Sequence, residues 1–223
     1  SDGIPDGFAK PSRRYQSFEV ALNKSFSQGF LIRADYRYAK LWGNYEGLFR
    51  NDNGQSDPGI SSLFDFTTGV VGLLGDQFTP GYLNTDRRNV ANLYGSYTLP
   101  NGFFRKLTSG VGLRATTGAP ISRLASHPVY GNTGEIPIGG RGTFGTLGTT
   151  LQLDLHADYP ISFGDKGSVK LAFDGFNVTN SQFNRTVNQQ IDTGFQAGAD
   201  PTFKSPTSFQ RAFYGRFAVR YEF

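Results

Sequence analysis

Phe213-Tyr214-Gly215-Arg216-Phe217-Ala218-Val219-Arg220-Tyr221-Glu222-Phe223 is the stretch that decides the fold. Counting by twos, Phe213, Gly215, Phe217, Val219, Tyr221 and Phe223 share one side. Tyr214, Arg216, Ala218, Arg220 and Glu222 share the other. A period of two is the mark of an extended strand, whose side chains alternate across the pleat. One face here is apolar and rich in rings; the other is charged.

The same alternation returns in six earlier segments, each close to the roughly 9 to 11 residues that a tilted membrane strand needs. In the segment about 148–159, Leu151, Leu153, Leu155, Ala157 and Tyr159 oppose Gln152, Asp154, His156 and Asp158. Over 167–176, Val169, Leu171 and Phe173 oppose Lys170, Ala172 and Asp174. Phe30, Ile32, Ala34, Tyr36 and Tyr38 oppose Arg33, Asp35 and Arg37, while Leu93, Gly95, Tyr97 and Leu99 oppose Asn92, Tyr94, Ser96 and Thr98. Two fainter members cover 15–26, with Phe18, Val20 and Leu22 outward, and 107–117, with Val111, Leu113 and Ala115 outward and Arg114 on the polar side.

The connections alternate in length. Short ones carry turn residues at Ser27-Gln28-Gly29, Pro100-Asn101-Gly102 and Gly164-Asp165-Lys166-Gly167. Long ones run about 42–87, 118–147 and 177–210. In an antiparallel meander the three long loops would leave from one end. Short turns on one rim and long loops on the other are the asymmetry of outer-membrane barrels. The expected fold is therefore all-β: an antiparallel meander of about seven strands belonging to a transmembrane barrel. The competing fold is a soluble β-sandwich, in which the ring-rich face would pack on a second sheet.

Composition agrees with sheet and narrows the chemistry. The 223 residues include Phe 21, Tyr 11, Trp 1 and Gly 29, a mixture that disfavours helix interiors. No run reaches the roughly 18 apolar residues of a spanning helix. Cys 0 removes disulfides and thiolate chemistry, and His 2 leaves too few imidazoles for a metal cage, so neither an enzyme nor a cofactor is expected. The net charge of +4 is scattered singly along the chain, without the clustered basic face of a nucleic-acid binder. Met 0 and an N-terminus without a basic-then-apolar leader suggest a piece of a longer or processed chain.

Several local patterns invite sharper readings. Gly140-Arg141-Gly142-Thr143-Phe144-Gly145 spells G-x-G-x-x-G, yet Leu147 to Tyr159 after it alternates like a strand and offers no helix for a pyrophosphate, which leaves a flexible loop. Asn51-Asp52-Asn53-Gly54-Gln55-Ser56-Asp57 has oxygen ligands without the closing Glu of a calcium loop and reads as a solvated turn. Asn177-Val178-Thr179 and Asn184-Arg185-Thr186 fit the glycosylation pattern, which has no meaning in a bacterial outer membrane. His156 between Asp154 and Asp158 lacks a nucleophile and suits a polar barrel lumen. The expected lumen residues are Arg33, Asp35, Arg37, Arg114, Asp154, His156, Asp158, Lys170, Asp174, Arg216, Arg220 and Glu222. In the loops, Tyr45, Phe49, Arg123, Tyr130, Arg141 and Phe195 are candidate ligand contacts, since exposed rings and guanidinium groups suit recognition.

Phe217, Val219, Tyr221 and Phe223 resemble the terminal signal by which the outer-membrane barrel assembly machinery recognises its clients. Asp86-Arg87-Arg88-Asn89-Val90-Ala91-Asn92-Leu93, leading into Tyr97-Thr98-Leu99-Pro100, resembles a strand of the Oar-like TonB-dependent transporters, which carry a carboxypeptidase-regulatory-like N-terminal domain. Thr117-Gly118-Ala119-Pro120-Ile121-Ser122 is similar to a loop start of that family, and Phe173-Asp174-Gly175-Phe176-Asn177-Val178-Thr179-Asn180 to its penultimate strand. Asn89 stands where His is common, and Gly175-Phe176 where Asn-Leu-Phe is common. The resemblance implies a barrel of about 22 strands around a plug, of which residues 1–223 would be the C-terminal third, with 1–14 the remainder of an extracellular loop. It also implies bacterial outer-membrane lipid, the missing barrel strands and plug, the TonB complex and an unknown ligand as partners. The alternatives are a passive porin, an adhesin-like barrel or a soluble β-rich binding module.

Overall fold

A computed structural model describes residues 12–47, 49–51, 53–56, 79–128 and 131–223. Seven long strands follow one another: β1 (Arg13–Ser27), β2 (Phe30–Gly43), β3 (Asn89–Thr98), β4 (Thr108–Thr116), β5 (Thr150–Ser162), β6 (Ser168–Phe176) and β7 (Tyr214–Glu222). Each pairs antiparallel with the next in chain order, giving a single meander. The pairings keep every face in phase. One row across six strands reads Ile32, Gly95, Val111, Leu155, Gly175, Gly215; a row of the opposite face reads Asp35, Asn92, Arg114, Gln152. A slip of one residue at any interface would have mixed the two sets.

The turns explain themselves. Gln28 and Gly29 have φ of 52° and 85°, the left-handed pair of a primed two-residue hairpin. A side chain at Gly29 would also stand only 2.9 Å from the Thr98 carbonyl oxygen. Between β5 and β6 a single turn of 3-10 helix, Gly164–Lys166, closes the hairpin. Strand ends differ from the sequence reading by a few residues, most at β2, which continues to Gly43, and at β5, which continues through Pro160 to Ser162. The last rung of β5 with β4 is Asp158 to Thr108, so the N–H that Pro160 lacks leaves no bond unmade on that edge.

The ring-rich face lies uncovered. Phe18, Val20, Leu22, Tyr36, Leu93, Val111, Leu155, Phe173, Phe217 and Val219 are all exposed on it, Phe217 at 67%. A sandwich would have buried these residues under a second sheet. The second layer lies instead at the loop end of the sheet, where Leu83, Ala119, Ile121, Leu124, Ala125 and Ile136 form the core with Ala39, Leu41 and Val90 of the strands.

The described parts of the long connections form short ladders. These join Phe49–Arg50 to Gln55–Ser56, Leu124–Ala125 to Ile136–Pro137, and Asn184–Val187 to Pro206–Phe209, while Gly81–Tyr82 pairs antiparallel with the end of β2. The three loops also bind each other. Arg50 donates to the Glu135 carbonyl at 2.8 Å, Ser122 N–H donates to Gln189 Oε1 at 2.6 Å, and Ser126 bonds Asp192 through its backbone and hydroxyl.

Candidate functional site

The charged face brings the expected polar residues together at neighbouring positions. His156 is opposite Asp174, and Asp174 is opposite Arg216. His156 Nδ1 is 2.7 Å from Asp174 Oδ1 and its Nε2 is 2.9 Å from Asp158 Oδ2. Lys170 reaches Asp158 at 3.2 Å, and Arg216 reaches Asp174 at 2.8 Å. Arg220 and Glu222 lie 4.0 Å apart near the short-turn rim. Arg33 stands opposite Asn23 and Tyr94, Asp35 accepts from Asn92 at 2.8 Å, and Arg37 and Arg114 stand closer to the loops. The His156 cluster is thus a set of paired acidic and basic side chains.

The loop candidates separate into different environments. Phe49 and Phe195 are exposed, Tyr45 is half-buried, and Tyr130 lies outside the described residues. Arg123 stacks its guanidinium 5.5 Å from the Phe144 ring. Arg141 differs from the expectation of an exposed contact: it is fully buried, 3.5 Å from the equally buried Glu46. Its neighbours Gly140 and Gly142 are buried, while Thr143 to Thr146 are exposed. Gly142 has φ 63°, its N–H donates to Ser122 Oγ, and a Cβ there would collide with the Tyr82 carbonyl oxygen. The G-x-G-x-x-G spacing serves this close backbone approach at Gly142. The Asn51–Asp57 stretch falls partly outside the described residues.

Asn177 is a residue whose role the sequence hid. It is buried, with φ 50°, and its side chain donates to the carbonyls of Ser181 and Arg211 at 2.9 and 2.7 Å. Its N–H donates to Asp154 Oδ1 at 2.8 Å. These bonds fold the 177–213 loop back over the polar face. Phe144 was also missed: besides Arg123, it takes Lys204 Nζ 4.3 Å from its centroid. Cation–ring pairs of this kind have no fixed sequence spacing.

The folded loop closes a cavity of about 300 Å³ against the polar face of β2 to β5. Arg37, Arg87, Arg114, Arg185 and Arg211 contribute to its wall, with Thr117, Gln152 and Asn184 among the neutral groups. A second cavity of about 250 Å³ among the loops is lined by amides, including Asn51, Asn84, Asn188 and Gln190. Among the described residues no cluster of His, Asp and Glu has the arrangement of a metal site.

No protein-family model and no solved structure matches the chain. It is similar to the TonB-dependent transporter Oar of Myxococcus xanthus, with 28% identity over 257 aligned positions that cover 99% of this chain. The chain spans 23% of that relative's length.

Proposed function

We propose that the chain forms wall, lumen surface and outer loops of a TonB-dependent receptor in the bacterial outer membrane, taking up a scarce ligand by energy-coupled transport. The observation that carries this reading is the uncovered apolar face. Seven strands present rings and aliphatic side chains outward in phase, and their opposite face holds matched charges. Bilayer lipid is the environment that such a face requires, because exposed apolar surface of this extent is not stable in water.

Under this reading β1 and β7, unpaired on their outer edges among the described residues, join further strands of the same protein. A plug would fill the lumen and reach the TonB complex. The outward row Phe217, Val219, Tyr221 and Phe223 would be the surface read by the assembly machinery; Phe223 is fully exposed. The similarity to a TonB-dependent transporter supports energy coupling over passive diffusion.

The test uses the full-length protein in intact cells. Epitopes inserted beside Phe49 and Phe195 should be reached by antibodies from outside, and the protein should cross-link to TonB. Loops that remain inaccessible, or no TonB cross-link, would sink the proposal.

A further inference from the structure

The arginines around the 300 Å³ cavity have no anionic counterpart within it. Arg37 and Arg114 rise from β2 and β4, Arg87 precedes β3, and Arg185 and Arg211 come from the loop that folds over them. No Asp or Glu lines this space among the described residues.

Three carboxylates of the adjoining strands and connection are hydrogen-bonded elsewhere. Asp35 accepts from Asn92; Asp86 accepts from the Leu41 N–H at 2.6 Å and from Arg88 at 3.3 Å; Asp154 accepts from Gln152 and the Asn177 N–H. Glu19, opposite Arg37 in the β1–β2 register, forms no ion pair with it. Arg87 donates only to the Asn84 and Asp86 carbonyls, at 2.9 and 2.7 Å. Burial, and to a lesser degree the nearby Arg185 charge, hold Arg87 below the usual guanidinium value against the opposing pull of Asp86.

Two buried donors of the lining, Arg37 Nε and Thr116 Oγ1, also lack a partner among the described residues. On the β6–β7 side of this face the cations are matched, as Lys170 and Arg216 show. Five guanidinium groups around one small space repel each other unless an anion enters. Their planar forks suit the paired oxygens of phosphate and carboxylate.

We propose that this cavity binds a small oxyanion carrying two or more phosphate or carboxylate groups. The inference deepens the proposed function by naming a class of ligand, and it rests on the polar face being open to solutes. The size of the space suits a small solute, and its walls include Arg185 and Arg211 on a loop of this chain that would close behind it.

The test is calorimetric titration of the purified full-length protein in detergent at low salt, with pyrophosphate and citrate as probes and inorganic phosphate as the single-group control. Saturable binding of pyrophosphate or citrate, about tenfold or more tighter than phosphate, is expected. Arg114→Gln and Arg185→Gln should each weaken it about tenfold, the size of one lost charge-assisted contact. Arg185→Lys should recover part of the loss. Gel migration before and after heating checks that each variant is folded, and the loop variant keeps the test open if the strand variant is not.

Absence of saturable binding, or binding indifferent to both Gln variants, overturns the inference. Failure of energy-coupled uptake with binding intact would instead overturn the transport reading and leave this one standing.

Discussion

Asp174 is the acceptor that joins three strands: its Oδ1 lies 2.7 Å from His156 Nδ1 on β5, and its Oδ2 accepts from Arg216 Nε at 2.9 Å on β7. Replacing it by Ala leaves both donors without their acceptor in a half-buried setting. Asp174→Ala should cost about 1–2 kcal/mol, reduced by the exposure of Arg216. A urea midpoint for the protein folded in lipid vesicles measures it. An unchanged midpoint would mean that these charges are solvated one by one.

Gly167 holds the end of β7 against the β5–β6 turn. Its φ is 98°, and a Cβ would collide with the Glu222 carbonyl oxygen. Gly167→Ala therefore combines backbone strain with a clash that the main chain must relieve, and should destabilise by about 1–3 kcal/mol. Tyr221, whose hydroxyl donates to the Lys166 carbonyl in the same turn, offers a milder probe. Tyr221→Phe should cost about 0.5–1.5 kcal/mol. If the two variants lose stability equally, the turn does not constrain the strand as described.

The meander was legible in the sequence because period-two alternation survives in each strand and its phase is fixed by short turns rich in glycine. The register follows once the faces are known, since a one-residue slip of β7 would put Phe217 and Val219 on the face of Asp174 and Lys170 in β6. The loop cluster was not legible. Arg141 and Glu46 meet across 95 residues of chain, and nothing local distinguishes a buried arginine from an exposed one. The cavity was hidden for the same reason: its arginines come from two connections and two strands, and Asn177, with its left-handed backbone and two carbonyl contacts, helps to bring the last loop over them.

Asp200 gives the third loop a dependence on pH. Hydrogen bonds from the Thr202 hydroxyl and N–H, both at 2.7 Å, and from Asn188 at 2.9 Å hold its carboxyl below the usual carboxylate range. A depressed folded value stabilises the loop above the unfolded value, and the contribution is lost as pH falls through the folded one. Hydrogen exchange at the Thr202 amide should therefore quicken relative to its intrinsic rate on acidification below the ordinary Asp range. Asp200→Asn should exchange faster at neutral pH and lose that dependence. A wild-type profile parallel to the variant's would refute the assignment.

Val219 and Ala218 are adjacent on β7 and point to opposite faces, so they separate lipid from lumen with one substituent. Val219 is 62% exposed and faces outward beside Leu171; Ala218 stands in the polar row with Ala172 and Asp158. In the intact protein, Val219→Arg would place a guanidinium in hydrocarbon and should cost about 2–4 kcal/mol if the position lies near mid-bilayer. Ala218→Arg would meet water and the Asp158 row, and should cost much less. Stability measured in lipid vesicles decides between them. Equal losses, or a greater loss for Ala218→Arg, would reverse the face assignment and remove the membrane reading with it, since that reading depends on the ring-rich face being the one in contact with lipid.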